Sequence, residues 1–237
     1  MRTIRLIALI AVITALTLPV LAACCVEAAV TPDNTLSAYE KSAGWQLLFD
    51  GKTLNGWACT DPTPGGWIID QNALFYTVKG SGYLYTTKTF GNYQFKTDFM
   101  IDKDTNSGIF FRWEKLEDPV NTGFEMQVWD TAGKTPIEKN HSGALYDAVA
   151  PSVNSMKPAG EWNTAEITCK DNIISITLNG KRVVVANLDR WTTVGMNPDG
   201  THNKYNRALK DWARSGHIGF QAHGGKVWYK NIKIREL

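Results

Sequence analysis

Along most of the chain, apolar and polar residues alternate in short runs separated by Gly, Asn or Asp. A period of two is that of a β-strand with one buried face. WQLLFDG (45–51) predicts a first strand ending in a turn at Asp50-Gly51. WIIDQNALFYTV (67–78) predicts two short strands joined at 70–72, and YLYTTKTFGNYQFKTDFMID (83–102) continues past a turn at Gly91-Asn92. SGIFFRWE (107–114), GFEMQVWD (123–130) and SGALYDAV (142–149) each predict a strand. ISITLNGKRVVVA (174–186) predicts a hairpin about Asn179-Gly180, a pair suited to the two positive φ angles of a type I′ turn. AEITCKDNIISI (165–176) adds a turn at Asp171-Asn172, and HIGFQAH (217–223) and VWYKNIKIREL (227–237) close the chain. There is no internal repeat, heptad pattern or βαβ spacing. About a dozen strands at this spacing predict an all-β, antiparallel β-sandwich of jelly-roll type.

Two segments depart from the alternation. Residues 187–215 form a long irregular stretch with a short helix predicted in NRALKDWAR. Loops of that length in a compact domain bind ligands or are disordered, and Trp191, Tyr205 and Trp212 argue for order. At the other end, Arg2 and Arg5 precede an apolar run over 6–20, the pattern of a signal peptide over residues 1–23. LAAC (21–24) is similar to a bacterial lipobox, which would make Cys24 the lipidated first residue of the mature chain; cleavage near VEAA is the alternative. Residues 24–44 then predict a polar tether, and 45–237 the sandwich domain. The expected location is outside the cytoplasm, in the periplasm or at the outer membrane or cell surface, with the membrane reached through the lipid anchor only.

The composition is that of a globular domain, with 43% hydrophobic and 20% charged residues among 237. Without residues 1–23 the chain carries 23 basic and 23 acidic residues, and this neutrality argues against a nucleic-acid partner. Nine Trp are many, and flat indole rings suit sugar C–H faces as well as a core. Beyond Cys24 and Cys25 only Cys59 and Cys169 remain, either one disulfide or two separate thiols. Asp102, Asp104 and Asn106 have the spacing of oxygen ligands for Ca²⁺, but without the rest of an EF-hand loop they predict a plain Asx-rich turn.

The candidate chemistry lies on the polar faces. In GFEMQVWD, Phe124, Met126 and Val128 share one face, while Glu125, Gln127 and Trp129 share the other. The same alternation puts Arg112 with Phe110, Tyr146 with Ala144, and Gln221 with His223. These strands carry almost no Lys, unlike TLNGKRVV and YKNIKIREL. If they are neighbours in one sheet, their outward side chains converge at about 5 Å spacing. An acid, a base and amides on one face serve proton transfer and sugar recognition. GxSxG is absent, so no nucleophile elbow is expected.

In order along the chain, GWQLLFDGKTLNGW, NSGIFFR, EMQVWD, EWN and HGGKVWYKNI resemble the 3-keto-disaccharide hydrolase domain family over about 44–237. The resemblance implies a concanavalin-like sandwich, usually exported, that cleaves glycosides oxidised at C3. It implies functional roles for Arg112, Glu125, Gln127, Asp130, Tyr146 and His223, although parity alone sets Asp130 opposite Glu125. For such a substrate, His223 is expected as base or metal ligand, Glu125 as base, acid or ligand, and Arg112 as stabiliser of negative charge. Gln127, Tyr146, Trp129, Asp130 and Gln221 would hold the carbohydrate. No sequence spacing demands a cofactor, and a divalent ion on His223 and Glu125 is left open. The other function these residues allow is a non-catalytic carbohydrate-binding sandwich.

Overall fold

A computed structural model describes residues 31–61, 66–77 and 82–237. The leader and Cys24 lie outside the described residues. The strands are β1 (Gln46–Leu47), β2 (Trp57–Cys59), β3 (Trp67–Asp70), β4 (Ala73–Tyr76), β5 (Leu84–Thr86), β6 (Tyr93–Ile101) and β7 (Asn106–Trp113). They continue with β8 (Phe124–Trp129), β9 (Asn163–Lys170), β10 (Ile173–Leu178), β11 (Lys181–Asn187), β12 (His217–Phe220) and β13 (Val227–Glu236). The described chain is all-β, with two antiparallel sheets. One has the order β11-β10-β9-β6-β13-β4-β3, with β1 also paired to β13. The other is β2-β5-β12-β7-β8.

Alternation sets the core, as expected of strands with one buried face. In β6, Tyr93, Phe95, Phe99 and Ile101 are buried while the intervening side chains are half-exposed. In β8, Phe124, Met126 and Val128 join the same apolar cluster. The sheets meet where Phe220 of β12 stacks on Tyr229 of β13, ring centroids 3.9 Å apart, with Trp57 on its other side at 5.3 Å. Burying one such ring is worth about 1.5–3 kcal/mol. The Ser107 hydroxyl donates to the Gln221 carbonyl (2.7 Å) and pairs with the Tyr229 hydroxyl (2.9 Å). Asn179 (φ 51°) and Gly180 (φ 76°) both adopt positive φ in the β10–β11 turn, as a type I′ hairpin requires.

Two one-residue bulges reset the alternation. In β13, Lys230 pairs with Asp98 but Lys233 with Lys96, so one extra residue is inserted about Asn231 (φ 54°). Val227 and Tyr229 face the core before it, Ile232 and Ile234 after it. The Asn231 side chain holds the residues that precede the sheet. Its Oδ1 accepts from the backbone amide of Asn34 (2.7 Å), and the backbone amide of Asn231 donates to Asn34 Oδ1 (2.9 Å). A short helix, α1 (Ala38–Ser42), follows, capped by a reciprocal Ser37–Glu40 box, and Glu40 pairs with Lys233. The described part of the expected polar tether is therefore docked on β13 from Asp33 onward, where Asp33 accepts from Lys230 Nζ and Asn231 Nδ2.

The second bulge lies in β7. His217 pairs with Trp113 and Gly219 with Phe110, leaving one extra residue on β7, and Arg112 takes φ 48°. The facing Gly216 makes this possible, since a Cβ there would sit 2.4 Å from the Arg112 carbonyl carbon. SGALYDAV is not a strand. Gly143 (φ 88°) and Asp147 (φ 61°) break the extension, and only isolated bridges at Leu145 remain. Cys59 and Cys169 sit on different sheets as free thiols, the second fully buried.

Candidate active site

The outer face of the five-stranded sheet carries a hollow of about 290 Å³ lined by Tyr83, Asn106, Val120, Glu125, Gln127, Tyr146, Lys204, Gln221 and His223. β8 supplies Glu125 and Gln127, adjacent β7 supplies Asn106, and the chain just beyond β12 supplies Gln221 and His223. That last stretch still follows the sheet, because the Gln221 amide donates to the Gly108 carbonyl (2.9 Å). Phe220 and Ala222 point into the core, so Gln221 and His223 point outward. Tyr146 is brought in by its amide, which donates to the Glu125 carbonyl (2.9 Å).

Glu125 is only 4% exposed. Its carboxylate lies directly over Gly108 of the neighbouring strand, where a Cβ would come within 2.1 Å of Oε1. Burial penalises the charged form and pushes the Glu125 carboxyl up to about 7, against a smaller downward pull from Lys204. Lys204 Nζ stands 3.7 Å from Glu125 Oε2, an ion-pair distance rather than a hydrogen bond. Burial pulls the Lys204 ammonium below the usual lysine value, while Glu125 and Asp147 act in the opposite sense. The amine is buried without a hydrogen-bond partner and lies 4.7 Å from the centroid of the Tyr146 ring. Its N–H donors are therefore unspent. Desolvation, then the charges of Glu125 and Asp147, raise the Tyr146 phenol, which stays protonated at neutral pH.

The amides are only partly occupied. Gln127 Nε2 donates to Asn106 Oδ1 (3.0 Å), and Asn106 Nδ2 lies 3.4 Å from His223 Nδ1. Gln221 Nε2 donates to the Tyr83 hydroxyl (3.3 Å), while its Oε1 is buried without a partner. His223 is exposed at the rim.

Three expected residues lie elsewhere. The bulge turns Arg112 to the other face. It is fully buried, its Nη2 is 3.4 Å from Asn92 Oδ1, and its charge acts on Tyr93 and Cys169 of the opposite sheet. Its expected place beside Phe110 on the outer face is thus corrected by one inserted residue. Asp130 falls just past the end of β8, where its Oδ2 accepts from the Asp104 amide (3.1 Å) and closes the 102–105 turn. Trp129 does not line the hollow; Lys134 Nζ lies 4.2 Å from its ring centroid, and the ring meets His141 at 6.0 Å.

The cation that alternation assigned to Arg112 comes instead from Lys204, in the irregular stretch 187–215. That stretch is ordered by its aromatic residues. Trp212 packs on Phe124 at 4.9 Å and Tyr205 on Trp212 at 5.3 Å. The Tyr205 hydroxyl donates to the Tyr146 carbonyl (2.9 Å), and the Lys204 amide to Asp147 Oδ2 (2.6 Å). The helix predicted there is a single 3₁₀ turn, Leu209–Asp211. Glu125 and His223 share the hollow, but no three His, Cys, Asp or Glu side chains cluster among the described residues, and the Lys204 ammonium already faces Glu125.

The chain is similar to several known proteins. It is 26% identical to a 3-keto-disaccharide hydrolase of Bacteroides thetaiotaomicron, over 89% of this chain and 87% of that one. Two crystal structures from Parabacteroides distasonis, provisionally described as glycosyl hydrolases, superpose on it. One has TM-score 0.73 and 28% identity, covering 81% of this chain and 99% of the other. The second has TM-score 0.71 and 29% identity, covering 87% and 100%. The sequence profile of the 3-keto-alpha-glucoside-1,2-lyase-like domain matches residues 44–235, nearly the whole of the described sandwich, and the chain belongs to that family.

Proposed function

We propose that the protein is an enzyme that cleaves the glycosidic bond of 3-keto-glycosides, with Glu125 as the base. The observation that carries this reading is a buried carboxylate with a pKa of about 7 facing, at ion-pair distance, a buried ammonium that has no hydrogen-bond partner, both in one hollow. A general base works best when its pKa lies near the operating pH. The family membership and the name of the Bacteroides relative supply the substrate class.

The chemistry follows from the substrate. A carbonyl at C3 acidifies the C2 proton. Glu125 takes that proton, and Lys204 donates to the C3 oxygen where negative charge collects. The C3 carbonyl then re-forms, C1=C2 forms, and the C1–O bond to the aglycone breaks. The Tyr146 phenol gives its proton to the leaving oxygen. Hydrolysis is completed when water adds its oxygen to C1, Glu125 returns its proton to C2, and the remaining water proton restores Tyr146. Release before hydration makes the same site a lyase. Gln127, Gln221 and His223 hold the sugar hydroxyls. The leader and Cys24 would export and anchor the protein, and labelling with a radioactive fatty acid, lost in Cys24→Ala, tests that.

The test compares purified protein on a 3-keto-glucoside and on its unoxidised parent. Cleavage of the oxidised sugar alone is expected; equal cleavage of both would rule out C2 proton abstraction, and binding without turnover would leave a carbohydrate-binding sandwich. Two variants refine the roles. Lys204→Met removes the charge that holds the Glu125 carboxyl down, so the acid limb of the kcat/KM profile should move up by about one unit or more. An unmoved limb would take Lys204 out of the site's electrostatics. His223→Ala, at the rim, should raise KM and leave that limb where it is.

A further inference from the structure

The catalytic hollow, at about 290 Å³, lies just below the roughly 300–1,000 Å³ range of small-molecule sites. It has room for one sugar ring, so the second half of a disaccharide must lie outside it. A second hollow of about 500 Å³ adjoins it, and Tyr146 lines both. Its wall is the 137–150 segment, with Ile137, Glu138, Lys139, Asn140, Asp147 and Ala150 around Tyr146. The chemistry there is that of a sugar site. A carboxylate, an amide and an ammonium can bind hydroxyls, and Ile137, Ala150 and the Tyr146 ring offer apolar surface. Asn140 Oδ1 is buried with no hydrogen-bond partner, an acceptor left for a ligand hydroxyl.

The second hollow is also mechanically tied to the first. Asp147 accepts from the Lys204 amide, so one loop positions both the new wall and the catalytic amine. Lys139 Nζ pairs with Asp199 (3.2 Å) and fixes the far side of the segment to the 187–215 stretch.

We infer that the hollow formed by the 137–150 segment beyond Tyr146 is the aglycone subsite, holding the second, unoxidised sugar of a 3-keto-disaccharide. This rests on the proposed catalytic reading, and it sets the scissile bond beside the Tyr146 phenol. The disaccharide then spans Tyr146, with the oxidised ring over Glu125 and the leaving sugar on Asn140 and Glu138.

The test compares a 3-keto-disaccharide with methyl 3-keto-glucoside, whose aglycone is a single carbon. Ala150→Trp fills the second hollow. It should lower kcat/KM for the disaccharide by about tenfold or more while changing the methyl glycoside by less than about twofold. Asn140→Ala, which adds no bulk, should show the same selectivity to a smaller extent. Equal losses on both substrates, or no loss on either, would overturn the subsite. If the wild type cleaves neither substrate, the catalytic reading fails on its own. Calorimetric titration with the 3-keto-disaccharide still decides the subsite: weaker binding to Ala150→Trp than to wild type supports it, and equal or undetectable binding overturns it.

Discussion

Glu125→Gln is expected to reduce kcat/KM on a 3-keto-glucoside by about 10²–10⁴-fold while the protein stays folded, the usual range for losing a general base. The amide keeps the size of the carboxylate and can remain over Gly108, but it cannot take the C2 proton. The same substitution has a signature in stability. The folded carboxyl titrates at about 7, above its ordinary 4.5. The folded state therefore binds that proton more tightly than the unfolded chain does. The stability this confers is full below about 4.5 and is lost as pH rises through about 7. Wild type should lose on the order of 3 kcal/mol across that window. Denaturant titrations at several pH values should show this slope in wild type and not in Glu125→Gln. Retained turnover in the variant would remove Glu125 from the chemistry, and parallel stability profiles would mean that its carboxyl is not perturbed.

The parts of this site that were legible in the sequence are those that a period of two can carry. Glu125 and Gln127 alternate with Phe124, Met126 and Val128 on an unbroken strand, and their outward placement follows. Gln221 and His223 alternate in the same way with Phe220 and Ala222, although regular pairing stops at Phe220. Arg112 shows the limit of this reasoning. A single inserted residue reverses every later side chain on a strand, and the local sequence FFRW gives no Gly or Asn to announce it. The signal lies about a hundred residues away, in the Gly216 that clears space for the bulge. Lys204 was out of reach for a different reason. It sits in irregular chain, where periodicity says nothing of direction. The aromatic residues of 187–215 disclosed only that the stretch is ordered, and the capture of the Lys204 amide by Asp147 is a tertiary event. Hairpins were readable because Asn179-Gly180 states its turn locally, whereas SGALYDAV alternates like a strand and is broken by positive φ at Gly143 and at Asp147, a residue that seldom takes it.

Gly108→Ala should disable the site without replacing any group that reacts. The added Cβ would fall 2.1 Å from Glu125 Oε1, 2.8 Å from Cδ and 2.9 Å from Cγ. All three contacts are with one side chain and none with backbone, so the strand pair can stay and the carboxylate must leave. Gly108 has no positive φ to lose, which separates this effect from backbone strain. Burial against Gly108 is part of what lifts the Glu125 carboxyl, so displacement toward solvent should carry its pKa down toward the ordinary value. A shift of about 1 Å in a catalytic group can cost roughly a hundredfold. The expected result is a fall in kcat/KM of that order, with the acid limb of the pH profile moved to lower pH, opposite in sign to the shift from Lys204→Met. Gly91→Ala is the control, because its Cβ would meet nothing nearer than 3.8 Å. Full activity in Gly108→Ala, with the limb unmoved, would mean that the carboxylate works from a position other than the one over this glycine, and the base assigned to the hollow would have to be sought among its other residues.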